Sequence, residues 1–294
     1  MKFYKLIFLI LLAFFMLNGL CSKNIEGNQK FSNILGTNTK VSFININYYI
    51  ENYFYNERKN IIDIRDFNNY MKNHLVNALY FNIDNIFFTY NGMPNRLRNI
   101  ENLIYDLERM GLNKYNNFFI YGYSNDYLNR DFDIFVLASL LYMLRVNNIY
   151  IIENPFENIS SNYISSKIDY VKNKGYLFSN LTKNYLKNYF INYQELEKKV
   201  DSGYKLVFVY RDLIFNKDEL IPNSISLKVN FNKDRYVLGS YLAGYNVNKT
   251  DKIILYSYDL KNSLFMFFVI KVYMGYNDVL IYDGGLFEWK ALKK

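Results

Sequence analysis

Cysteine and histidine, the side chains most used for nucleophilic and metal chemistry, each occur once in this 294-residue chain, as Cys21 and His74. A lone imidazole with no second imidazole and at most one thiol in the chain cannot build an ordinary transition-metal site. No metal and no other cofactor is therefore expected. One thiol also excludes an internal disulfide, so the fold must stand on its apolar cores. The first half carries one further charged arrangement, Asp63 and Arg65 at the end of the apolar run Ile61–Ile64. Residues two apart on a strand share a face. A pairing of Arg65 with Asp63 or Asp66 would be scaffold rather than catalysis. The matching run of the second half, Val209-Tyr210-Arg211-Asp212, keeps Arg211 without the first acid.

The ends and the composition bound where such groups can work. Lys2 and Lys5 precede an apolar run from Ile7 to Leu17, and Asn18, Gly19, Cys21 and Ser22 follow. That is the layout of a secretory signal, shorter than the roughly 20 apolar residues that span a bilayer. Residues 1–21 are expected to direct export, and 22–41 to form a polar tether. The mature protein would then be periplasmic, secreted or lipid-anchored at the cell envelope. Cys21 resembles the lipid-bearing cysteine of bacterial lipoproteins, although Leu20 stands where such signals carry a small residue. Membrane contact is expected only through that signal or anchor. The net charge is +8, but lysines and acids are interleaved, as in Lys217-Asp218-Glu219. No basic block reads as a nucleic-acid footprint, so the expected partner is a small anion or another protein.

The rest of the chain alternates short apolar runs with amphipathic ones. Strands are predicted at 61–64, 118–121 and 149–152, and helices at 66–72, 99–110 and 132–144. In the helix over 99–110, Ile100, Leu103, Ile104 and Leu107 recur at three- and four-residue spacing. Weakly periodic residues 157–186 read as a linker. The order then repeats, with helices at 193–200 and 263–274 and strands at 206–210, 253–256 and 279–282. This alternation predicts parallel sheets with helices on both faces, one in residues 42–156 and one in 187–294.

Here the residues resemble a known family. Asp63-Ile64-Arg65, the short helix after it and the turn Asn73-His74-Leu75-Val76-Asn77-Ala78 are similar to the opening signature of rhodanese (thiosulfate sulfurtransferase) domains. The stretch Met93–Gly122 resembles the middle of first domains in tandem members. Tyr282-Asp283-Gly284-Gly285-Leu286-Phe287-Glu288-Trp289 resembles the closing strand and turn. The resemblance implies an α/β fold of two tandem rhodanese-like domains, the first non-catalytic. It implies structural roles for Asp63, Arg65, His74, Arg211, Gly284, Gly285 and Trp289, the last covering the end of the second core.

In that family a cysteine after a central strand of the second domain carries sulfur as a persulfide, in a loop of backbone N–H donors above a helix N-terminus. The equivalent stretch here is Ser257-Tyr258-Asp259-Leu260-Lys261-Asn262, followed by Ser263 at the expected helix start. Ser257 occupies the cysteine position, Leu260 that of a common Gly, and Asn262 that of a common cationic donor. Asp259 adds negative charge, leaving Lys261 as the loop's cation. A serine forms no stable persulfide analogue, and a hydrolytic serine would need an adjacent base. The first-domain loop Gly122-Tyr123-Ser124-Asn125-Asp126 also lacks cysteine, and Glu153-Asn154-Pro155 replaces the Asp-Gly-Gly-like turn. The expected function is an exported, catalytically degenerate module that binds an anion or a partner. The alternative is a working sulfurtransferase that moves sulfane sulfur by an unconventional route.

Overall fold

Apolar runs without polar alternation mark strands covered on both faces, and the chain puts such runs at the centres of two sheets. Phe118–Tyr121 and Ile253–Tyr256 are wholly shielded from solvent. The structure is a computed structural model that describes residues 39–90, 93–123, 126–168, 186–212 and 215–292. The expected signal, Cys21, nearly all of the tether and residues 169–185 of the linker lie outside the described residues.

The first half runs β1 (Lys40–Asn45), α1 (Ile46–Tyr53), β2 (Lys59–Asp63), α2 (Phe67–Lys72), β3 (His74–Leu75), β4 (Ala78–Tyr80), a 3-10 turn (Ile83–Ile86), β5 (Phe87–Tyr90), β6 (Met93–Leu97), α3 (Ile100–Arg109), β7 (Asn117–Tyr121), α4 (Phe132–Met143), β8 (Asn148–Glu153) and β9 (Ile164–Ser165). The second runs β10 (Phe190–Ile191), α5 (Tyr193–Asp201), β11 (Lys205–Tyr210), β12 (Ile225–Lys228), α6 (Arg235–Gly244), β13 (Lys252–Ser257), α7 (Leu260–Phe267), β14 (Asp278–Tyr282) and α8 (Gly285–Leu292).

Both sheets are parallel and five-stranded, ordered β1-β8-β7-β2-β4 and β10-β14-β13-β11-β12. Position by position the two orders are the same, so β2 corresponds to β11, β7 to β13 and β8 to β14. The β5–β6 hairpin is antiparallel and belongs to neither sheet.

The sheets share one interior between their facing sides, while the opposite face of each carries a smaller cluster of its own. α4 is buried along its length except at Asp133, so no face of it is left for water. It packs against α7: Phe132 stacks on Phe265 at 4.7 Å and Phe135 on Phe268 at 4.3 Å. The Ser139 hydroxyl donates to the Leu264 carbonyl at 2.7 Å inside this contact. One apolar cluster therefore runs from Val41 and Phe43 of β1 to Val279 and Ile281 of β14.

Two boundaries differ from expectation. Part of the supposed linker is structured, because β9 pairs antiparallel with β3 through Ile164 and Ser165. The helix after β13 begins at Leu260 rather than near Ser263, and after Phe267 it continues as a π-helical segment to Tyr273. Asp259 explains the early start, since its side chain accepts the Lys261 N–H at 2.9 Å and caps the first turn.

Candidate functional site

At the end of β2, Asp63 and Arg65 form a buried ion pair, with Nη2 2.6 Å from Oδ2. Nε adds contacts of 3.0 and 3.2 Å to the two carboxylate oxygens. The guanidinium also donates to the Asn73 side chain and main-chain carbonyl, and it lies 4.2 Å over the Phe156 ring. His74 is fully buried, stacked on Tyr70 at 4.0 Å, with Nδ1 2.9 Å from the Tyr70 carbonyl. These groups hold α2 and the following turn to the sheet. Asp66 caps α2 and receives the Tyr123 hydroxyl. That bond, with the Asn69 N–H, holds its carboxyl down at about 2.

The loop after β7 is closed by a carboxylate from the chain itself. Asp131, fully buried, accepts the Tyr123 N–H at 2.6 Å and lies so close to Gly122 that an added Cβ would overlap it. Gly122 is needed there for close approach.

Around Ser257 the expected six-residue anion loop does not exist as a loop. Ser257 is the last residue of β13, and Leu260, Lys261, Asn262 and Ser263 already lie on α7. The Ser257 hydroxyl donates to the Asp259 carbonyl at 2.5 Å and lies 2.7 Å from the Ser263 hydroxyl. Gly285 has φ +58°, and any side chain there would overlap the Ser257 carbonyl oxygen. The remaining cavity is about 10 Å³, room for one water and no more. Lys261 is diverted as well. Its Nζ lies 2.5 Å from Asp84 and 3.4 Å from Asp133, both in the first half. Burial lowers the Lys261 pKa, but the two carboxylates outweigh it and the net shift is upward. Lys261 is an interdomain clamp, not a cradle cation.

Open space lies beside this closed corner. A cleft of about 500 Å³ is lined by Arg130 and Phe132 from the first half and by Tyr210, Arg211, Tyr258 and Lys261 from the second. Arg211 does not repeat the buried strut of Arg65. Its partner is the neighbouring Asp212 at 3.2 Å, and its guanidinium lies 5.1 Å over Phe132. Arg130 is exposed. The cleft thus offers two guanidinium groups among aromatic rings, together with the carboxylates of Asp133, Asp212 and Asp259. At the closing turn, Tyr282 donates to Glu288 at 2.6 Å, and Trp289 packs on the second, smaller cluster, 5.9 Å from Tyr193.

Sequence reasoning missed Arg96, Arg130, Asp84 and Asp133, which reach the second half's corner only through tertiary packing. No spacing within the chain signals them. Among the described residues no group of His, Cys, Asp and Glu could hold a metal, and no helix is long and apolar enough to cross a membrane.

Comparison with known proteins gives this geometry its relatives. Residues 192–292 match the rhodanese-like domain family. No curated protein matches the chain. Among solved structures it is similar to SseA from Escherichia coli, described for the rhodanese fold and catalytic mechanism of 3-mercaptopyruvate sulfotransferases. The TM-score is 0.63 at 16% identity, over 83% of this chain and 98% of SseA. It is equally similar to a cysteine-to-serine variant of EanB in complex with hercynine, with TM-score 0.63 and 15% identity, over 85% of this chain and 66% of EanB. Another EanB structure carries a cysteine persulfide with ergothioneine, at TM-score 0.62. The match to a rhodanese-like domain thus falls on residues 192–292, and the fold as a whole is shared with these solved structures.

Proposed function

We propose that this chain is a non-catalytic rhodanese-like protein, exported, that binds an anionic group in the cleft between its halves. On this reading Ser257 stands where the family has its nucleophilic cysteine, residues 42–156 and 187–294 are tandem domains, and Cys21 is the candidate point of lipid attachment. One observation carries the proposal. The Ser257 hydroxyl is committed to the Asp259 carbonyl and the Ser263 hydroxyl, in a cavity with no space for a sulfur donor. Among the described residues, the partners of that hydroxyl are a carbonyl and a hydroxyl, neither of them a base that would activate it. The adjoining cleft keeps Arg130 and Arg211 in reach of a ligand.

The test has two arms. Purified protein should transfer no sulfur from thiosulfate to cyanide above a control without protein. Thiosulfate and sulfate should raise its melting temperature, and Arg211→Ala with Arg130→Ala should abolish that rise. Steady turnover that Ser257→Ala removes would overturn the proposal in favour of a working sulfurtransferase.

A further inference from the structure

A second pocket belongs wholly to the first half and shares no residue with the cleft. It lies between the 3-10 turn Ile83–Ile86 and α3 and has a volume of about 430 Å³, within the range of small-molecule sites. Phe81 and Ile86, both buried, and Met110 give it an apolar lining. Tyr80 adds a ring that is braced by Phe67 at 5.2 Å and Tyr70 at 5.6 Å. Main-chain bonds pin these walls. The Phe81 N–H donates to the Asp63 carbonyl and the Arg98 N–H to the Ile86 carbonyl, each at 2.9 Å.

The polar groups of the pocket are largely unspent. The Asn82 side-chain oxygen accepts the Asp84 N–H at 2.9 Å, which leaves its amino group as a donor. Asn85 brings a second side-chain amide to the same pocket. Arg98 Nη1 lies 3.8 Å from Asp106 Oδ2, too far for a hydrogen bond. Among the described residues Arg109 makes no ion pair, and its guanidinium lies 5.8 Å over the Tyr105 ring. Two guanidinium groups and one carboxylate thus leave the pocket with an excess of one positive charge.

We infer that this pocket binds a planar heteroaromatic ring carrying a single anionic group, the chemistry of a nucleoside monophosphate. The ring covers the apolar lining, and the amides of Asn82 and Asn85 meet its heteroatoms. The forks of Arg98 and Arg109 take the anion. A neutral ring would leave both guanidinium groups unused, and an inorganic anion would leave the apolar lining wet. Asp106 opposes a longer chain of phosphates. The inference concerns a different site from the cleft and does not depend on it.

The test is calorimetric titration at low salt with adenosine 5′-monophosphate, adenosine and inorganic phosphate. The monophosphate should bind at one site, at least about tenfold more tightly than either fragment. Arg98→Gln and Arg109→Gln should each weaken it by roughly tenfold, the effect of one charge-assisted hydrogen bond. Asp106→Asn should tighten it. These side chains lie at the surface, and an unchanged melting temperature checks that the variants keep the fold. Arg130→Ala with Arg211→Ala, in the cleft, should leave the affinity as it is. The inference is overturned if the monophosphate does not bind, or binds no better than adenosine or phosphate. It is equally overturned if both Gln variants bind as the wild type does, or if the cleft variant is the one that loses binding.

Discussion

The ends of β2 and β11 occupy the same place in two sheets of the same order, and each is followed by an arginine. Arg65 is 5% exposed and gripped by Asp63 and Asn73, while Arg211 is 35% exposed and leans on an Asp212 that is itself 77% exposed. The difference lies two residues back, where the first half has Asp63 and the second has Val209. With an inward carboxylate, the arginine is a strut; with an apolar residue there, it turns into the cleft and becomes available to a ligand. The loops beyond the neighbouring strands diverge in the same spirit. Asp131 satisfies the loop after β7 from within, whereas a serine hydroxyl and a capping aspartate close the turn after β13.

The largest expected effect comes from breaking the strut. Arg65→Ala leaves Asp63 buried and uncompensated, a change that costs about 3–5 kcal/mol, and urea unfolding should show it. Arg211→Ala, removing a partly exposed pair, should cost about 1 kcal/mol or less by the same measurement. Next in size is a graft of the first half's arrangement onto the second. Val209→Asp places a carboxylate in a fully buried position, where Arg211 can pair with it as Arg65 does with Asp63. The destabilisation should grow by more than about 1 kcal/mol when Arg211→Ala is added, a coupling that a double-mutant cycle reads directly. Simple additivity would mean that Arg211 cannot turn inward. The smallest effect is a titration in the first half. Asp66 is held at about 2 by Tyr123, so its contribution to stability is present above the ordinary aspartate range and lost as pH falls through about 2. Tyr123→Phe should move the Asp66 titration upward toward 3.8, followed by NMR.

The sheets were readable because their strands are continuous apolar runs and their helices keep a 3.6-residue period. The start of α7 lies three residues before Ser263, where a stronger signal stands. Asp259, two residues past the strand, is a preferred N-cap. The two-residue strand Ile164–Ser165 is too short to show a period, and it exists only because β3 lies beside it. At the candidate site, Ser257 and its neighbours are singled out by their order along the chain alone. Arg96 and Asp84 are not, since their relation to Ser257 is created by contacts of the first half with α7 and the closing turn and leaves no trace in local spacing.

That packing also sets a schedule. α4 is apolar on nearly every side and is complete once Met143 has been made, but its partner α7 begins on the order of a hundred residues later. At roughly 5–20 residues per second, a ribosome needs about 5 to 20 seconds to cover that interval. Throughout it the aromatic face formed by Phe132 and Phe135 has nothing from α7 to meet, so the nascent first half is a natural client for a holding chaperone. A chain that ends before Leu260 would carry that uncovered face permanently, and would be prone to self-association where the full-length protein is not.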